Sequence, residues 1–319
     1  VTESEPAPDI AMWGASGSGK TAFLAALSIA LNKAETNWKL VGENQASGAE
    51  LIKLRNRLLD DRTFPDSTES LTYYNWLLIG PPEYHRQWWR PWRTQPGRAP
   101  RIRLDFLDPR GGLYAESQAS VDKEALVSSL VRSRGLIYMF DPDRESRVGD
   151  AFKHLDSALN EVAAQMLAGN EYADGKLPHY IAVCITKYDD PRVLTLADRW
   201  GLTEPDLNDE MRIPRVAEDR AREFFHRLCR HGRSHNAEMI VDLIETYFHK
   251  DRVKFFVTSS VGMYIDERHR RFDPDDFLNV IDDPHRGLMI RGPVRPINVM
   301  EPVIWLGGML SSRSMRSGR

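Results

Sequence analysis

Eight consecutive residues could do chemistry: Gly14, Ala15, Ser16, Gly17, Ser18, Gly19, Lys20 and Thr21 fit G-x-x-x-x-G-K-[ST] in full. Small side chains let the backbone N–H groups of residues 15–21 converge on phosphate oxygens, and a helix N-terminus just beyond adds its dipole. Lys20 supplies a point charge to the β and γ phosphates, and the Thr21 hydroxyl a ligand for Mg²⁺. The competing explanation is a chance Gly/Ser turn. Such a turn has no reason to follow an apolar run and open a helical pattern, as this one does. The segment implies binding of a nucleoside triphosphate.

Periodicity supplies the elements that must hold this loop. Ile10 to Trp13 is a short apolar run ending at Gly14, and Lys20 to Leu31 has helical spacing, which gives strand, loop, helix. Leu71 to Gly80 reads as a second strand, and Arg101 to Leu107, where Ile102, Leu104 and Phe106 alternate with polar neighbours, as a third. Apolar runs at Gly135 to Phe140, Tyr180 to Ile185 and Val253 to Val257 are separated by helical stretches such as Ala151 to Leu167 and Val216 to Leu228. Strands alternating with helices predict a three-layer α/β fold with a mostly parallel sheet. No internal repeat or low-complexity linker divides the chain, so a single enlarged domain is expected over 1–310, with insertions near 33–70, 81–100 and 190–250. A last helix is expected at Asn298 to Leu310, followed by a mobile Ser/Arg/Gly tail at 311–319.

Composition narrows the function classes. In 319 residues, 41% hydrophobic and 28% charged side chains argue against disorder, and a net charge of -3 provides no global attraction to nucleic acid or an anionic membrane. Cys184 and Cys229 are too few for a disulfide framework, and Cys184 falls inside an apolar run as a small core residue. No run approaches eighteen apolar residues, and Val1 to Asp9 is acidic and proline-bearing. A cytoplasmic protein with neither membrane span nor secretion signal is expected.

Three further motifs bear on which nucleotide is bound. Asp108-Pro109-Arg110-Gly111 at the end of the third strand reads D-x-x-G, where the carboxylate can hold Mg²⁺ through a water and the glycine N–H can approach the γ phosphate. The run ending at Ile185 continues into Thr186-Lys187-Tyr188-Asp189, and that ending at Val257 into Thr258-Ser259-Ser260. In this order, across residues 9 to 262, the sequence resembles the Ras-like P-loop GTPases of the translation-factor class, whose base-recognition motifs are [NT]-K-x-D and [ST]-[SA]. The resemblance implies a G domain that binds GTP or GDP with Mg²⁺. Asp189 would accept hydrogen bonds from guanine N1 and N2, Lys187 would pack its stem along the base, and the Ser259-Ser260 loop would meet O6. Adenine offers no such donor pair, and an unpaired buried carboxylate costs more than a match gains. A polar strand end leading into the turn Asp190-Pro191 is the other reading of Thr186 to Asp189.

The resemblance also implies a switch threonine before the second strand. Thr63, Ser67, Thr68 and Thr72 are available, and Thr68, after the turn-like Phe64-Pro65-Asp66-Ser67, is chosen to close over Mg²⁺ and the γ phosphate. The catalytic set is then Lys20, Thr68, Arg110 and Gly111. Trp38, Leu40, the Phe64 to Thr68 segment, Trp76 and Asn298 to Trp305 are also similar to bacterial double-GTPase-type G proteins. In Ras-like enzymes a glutamine after D-x-x-G orients the attacking water, but here that position is Gly112. Tyr114, Glu116, Gln118 or an activating protein must position the water, so hydrolysis should be slow. Arg110 is a cis arginine for the transferring phosphoryl group or, the favoured reading, a surface ion-pair former. A nucleotide-gated scaffold with negligible hydrolysis and an ATP-using P-loop signalling NTPase are the alternatives to a GTP-hydrolysing switch.

Residues 83–103 interleave Tyr84, Trp88, Trp89 and Trp92 with Arg86, Arg90, Arg93, Arg98, Arg101 and Arg103. The prolines at 81, 82, 91, 96 and 100 exclude a regular helix or central strand there. Core cover is the leading reading, a surface for an effector or activating protein the next, and nucleic acid the least favoured. His226, Cys229, His231 and His235 match no usual zinc spacing. The arginines at 220, 222, 227, 230 and 233 read as a solvated basic face, and Asp273, Asp275, Asp276, Asp282 and Asp283 as a solvated acidic loop.

Overall fold

The computed structural model describes residues 9–33, 37–65, 72–81, 84–87, 90–96, 99–108, 121–172, 174–207, 209–232 and 236–317. Of residues 33, 72–73, 84–87, 90–96, 105–108, 121–122 and 312–317 it describes the backbone alone. In chain order the elements are β1 (Ile10–Gly14), α1 (Lys20–Lys33), β2 (Lys39–Gly42), α2 (Gln45–Asn56), β3 (Thr72–Ile79), β4 (Tyr84–Gln87), β5 (Arg90–Pro96) and β6 (Arg101–Asp108). There follow α3 (Val121–Arg132), β7 (Gly135–Phe140), α4 (Pro142–Arg147), α5 (Ala151–Ala168), β8 (Tyr180–Ile185), α6 (Pro191–Arg199), β9 (Thr203–Pro205) and β10 (Pro214–Val216). The remainder is α7 (Ala221–His231), α8 (Glu238–Tyr247), β11 (Val253–Val257), β12 (Val280–Asp283), β13 (Gly287–Ile290) and α9 (Glu301–Ser317), which runs beyond the Leu310 end expected from periodicity.

Among the described residues the main sheet has seven strands in the order β11-β8-β7-β1-β6-β3-β2. The first five are mutually parallel, while β3 runs antiparallel to β6 and β2 antiparallel to β3. A strand covered on both faces needs apolar side chains in both directions, which is why β1 and β7 are buried at every position. Successive side chains alternate between faces, so β1 divides its residues. Ile10 and Met12 join Phe23 and Leu27 of α1, Leu51 and Leu54 of α2, and Val303 and Leu306 of α9 on one side. Ala11 and Trp13 join Leu126 of α3, Leu155 and Leu159 of α5, Phe224 and Phe225 of α7, and Ile240 of α8 on the other.

Cys184 is fully buried in β8, as expected of a small core residue, and Cys229 is buried beside Phe225 in the outer layer. Proline-bearing β4 and β5 pair with each other rather than within the main sheet. Asp282 and Asp283 do not lie in a loop: they belong to β12, which pairs with β13 around a turn that the acidic composition had obscured. The basic face of α7 is largely neutralised by its neighbours, with Arg220 and Arg227 on Glu223 and Arg222 on Glu245.

Candidate functional site

Strand order reverses about β1, and in an open parallel sheet the crevice at such a point, beyond the C-terminal strand ends, receives ligands. The loop after β1 opens there. Gly17 and Gly19 adopt φ of +74° and +89°, the left-handed region that a Cβ disfavours. Gly14 is constrained differently: a Cβ there would stand 2.6 Å from the Met139 carbonyl oxygen and 2.9 Å from Ser18 Oγ. Ser18 Oγ is buried without a hydrogen-bond partner among the described residues. Lys20 folds back over the loop, its Nζ donating to the carbonyls of Gly14 and Ala15 at 3.1 Å each.

The next strand ends are laced together stepwise. Thr186, just past β8, donates from its backbone and from Oγ1 to the Phe140 carbonyl that ends β7, at 2.8 and 3.1 Å. Thr258, just past β11, repeats this on the Ile185 carbonyl at 2.7 and 3.2 Å. Lys187 then takes a left-handed conformation (φ +57°), which costs a non-glycine residue about 1 kcal/mol and needs support from its surroundings. Support comes from Asp141, whose buried carboxylate holds Lys187 Nζ at 2.6 Å.

Asp189 accepts a short hydrogen bond from Ser259 Oγ, which itself accepts the Gly262 N–H at 2.8 Å. Burial pushes the Asp189 carboxyl up to about 6, against the pull of the Ser259 bond towards the charged form.

Around these elements lies a cavity of about 700 Å³. It brings together Ser16, Gly17, Ser18, Gly19, Lys20 and Thr21 with Thr186, Lys187, Asp189 and Ser260. Gly14 and Ala15 lead into the loop, and Ser259 stands behind Asp189. Asp108 ends β6, the neighbour of β1, on the same edge of the sheet, and is described by its backbone alone. Thr68, Arg110 and Gly111 lie outside the described residues, as do Gly112, Trp88 and Trp89.

Sequence reasoning missed two parts of the site. The first is α4, where Asp141 Oδ1 caps the helix by accepting from Asp143 N and Arg144 N at 3.0 and 3.1 Å. Arg144 donates to the Ser16 carbonyl at 3.3 Å while gripping Asp150 at 3.0 and 2.5 Å, and Asp143 pairs with both Arg147 and Arg192 at 2.5 Å. Asp141 followed by Pro142, an N-cap residue with proline at the first helical position, is a helix-start signature that could have found it. The second is the β12–β13 hairpin, whose Val280, Asp282 and Leu288 line the cavity together with Phe64. Its alternation is too brief to stand out among five aspartates.

The strand order, the loop between β1 and α1 and the layered helices define an α/β P-loop G-domain fold. No protein-family model matches the chain, and no curated protein does. Among solved structures it is similar to nucleolar GTP-binding protein 1 from Plasmodium falciparum, at 11% identity and a TM-score of 0.35 over 98% of this chain and 91% of that one. It is also similar to the signal recognition particle receptor SRb-GTP/SRX complex from Chaetomium thermophilum, at 13% identity and a TM-score of 0.36 over 84% and 98%. A bacterial selenocysteine-specific elongation factor, EF-Sec, aligns at 14% identity and a TM-score of 0.23 over 61% of this chain and 23% of that one. At such scores the fold assignment rests on the strands and loop of this chain. Among the described residues no helix is long and apolar enough to cross a membrane.

Proposed function

We propose that this protein is a GTP-binding switch that hydrolyses GTP slowly and controls a protein partner. The observation that carries the reading is the single cavity shared by the phosphate loop, Lys187, Asp189 and Ser260. Lys20 would leave its two carbonyl acceptors for the phosphates, an exchange of neutral for charged acceptors that strengthens its bonds. Asp189, already fixed by Ser259, is suited to pair with the two donors of guanine. Thr21 and Asp108 would hold Mg²⁺, which supplies charge neutralisation at the phosphates; Thr21 lines the cavity and Asp108 ends the adjacent strand. Thr68 and Gly111 would sense the γ phosphate and Arg110 stands close by in sequence, while residues 83–103 would meet the effector or activating protein.

Calorimetric titration of GTP, GDP and ATP into the wild type and Lys20→Ala tests the reading. GTP preference in the wild type, with GTP affinity reduced on the order of 100-fold by Lys20→Ala, is expected. Tight ATP binding, or no nucleotide binding, would overturn it. Asp189→Asn should move preference from GTP towards xanthosine triphosphate.

A further inference from the structure

The cavity has a wall that neither the phosphate loop nor the base-recognition motifs supply. In the β12–β13 hairpin, Val280 pairs with Ile290 and Asp282 with Leu288. Directly opposed residues of an antiparallel pair share a face, so these four side chains project together, with Val280, Asp282 and Leu288 reaching the cavity. The hairpin is fastened on two sides. Asn279 Nδ2 donates to the Val261 carbonyl at 3.1 Å and its Oδ1 accepts the Gly292 N–H at 2.8 Å, which anchors the hairpin beside Ser260. Thr63 bridges to Met289, and the Ile290 N–H donates to the Arg62 carbonyl at 2.8 Å, which anchors it to the segment carrying Phe64.

Asp282 itself is exposed at the cavity edge and has no hydrogen bond or ion pair from its carboxylate among the described residues. The other acids lining the cavity all have partners: Asp143 on Arg147, Asp189 on Ser259 and Asp190 on Arg192.

We infer that Asp282 is a sugar-reading residue, accepting hydrogen bonds from the ribose hydroxyls of the bound nucleotide while Val280 and Leu288 close over the sugar. The inference rests on the guanine-nucleotide reading. Val280 follows Asn279, which is bonded to Val261 next to the base-binding Ser260, and two residues along a strand advance about 7 Å, the step from a purine to its ribose hydroxyls. A carboxylate at that point attracts hydroxyl donors and repels phosphate, so it orients the nucleotide with its phosphates towards Lys20.

The test is calorimetry of GTP and 2′-deoxy-GTP on the wild type, Asp282→Asn and Asp282→Ala, with thermal unfolding to confirm that each variant folds. The wild type should bind GTP about tenfold more tightly than 2′-deoxy-GTP, the ratio that one charge-assisted hydrogen bond carries, and Asp282→Ala should bring the two within about twofold. Asp282→Asn, which keeps an oxygen acceptor without the charge, should fall between them. Equal affinities in the wild type, or undiminished discrimination in Asp282→Ala, would overturn the assignment while leaving GTP binding intact. Failure of the wild type to bind any guanine nucleotide would overturn the underlying reading and this one with it.

Discussion

Lys187 Nζ stands 2.6 Å from Asp141 Oδ2, so the lysine after β8 is tethered to the helix cap after β7. One carboxylate therefore supports a left-handed residue and a helix start together. Asp141→Ala should cost about 1–2 kcal/mol from the lost cap alone and release Lys187 from its strained conformation. Denaturant unfolding measures the first effect and GTP titration the second. Asp141→Ser, which retains a cap acceptor without the charge, should recover much of the stability and little of the affinity.

The Asp189 carboxyl, raised from the ordinary 3.8 to about 6, sets opposite pH dependences for binding and stability. Guanine pairing requires the ionised form, so GTP affinity should rise from about pH 5 and level off above about pH 7. In the nucleotide-free protein the native state binds more protons than the unfolded chain between about pH 4 and 6, so this group's contribution to stability falls as pH rises through that window. Calorimetric titrations and unfolding curves compared with Asp189→Asn isolate both slopes; identical pH profiles in the two proteins would refute the assignment.

Gly14 and Gly17 should tolerate alanine unequally. A methyl group on Gly14 meets the Met139 carbonyl oxygen at 2.6 Å and Ser18 Oγ at 2.9 Å, an overpacking that costs about 1–3 kcal/mol and displaces the loop. On Gly17 it meets nothing within 4 Å, and only its φ of +74° is penalised, by about 1 kcal/mol. Thermal unfolding of the two variants should rank them in that order.

Arg144 joins α4 to the phosphate loop through the Ser16 carbonyl and to α5 through Asp150, which also accepts from His154 at 3.1 Å. Arg144→Ala should lower stability by about 1–2 kcal/mol and weaken GTP more than it weakens folding, because Ser16 is freed to move. Arg144→Lys, with a single ammonium in place of the fork, should restore only part of either.

Much of this was legible in the sequence, for identifiable reasons. Gly135–Phe140, Tyr180–Ile185 and Val253–Val257 coincide with the strands read from apolar runs: the first two are interior parallel strands buried on both faces, and β11, at the sheet edge, is still covered by helices over its last three residues. The motifs beginning at Gly14, Thr186 and Thr258 stand at strand ends, where topology converges them. Side chains whose role depends on a distant partner were not legible: Asp141 acquires meaning only beside Lys187, and Asp282 only once Asn279 holds its hairpin against Val261. Val216 to Leu228, read as one helix, divides into a strand end, a short 3-10 turn and α7, because its apolar spacing spans a change of direction at Ala217.

The central position of β1 also bears on how the chain acquires its shape. Ile10 pairs with Leu104 on one side and Gly135 on the other, so the strand that carries the phosphate loop has no sheet partner in its own neighbourhood. Its pairing needs β6 and β7, and the face carrying Ile10 and Met12 is covered by α1 and α2 together with Val303 and Leu306 of α9, from about 300 residues away. The strand that begins the loop is thus completed by residues far along the chain, so the loop between β1 and α1 is anchored through contacts of high sequence separation.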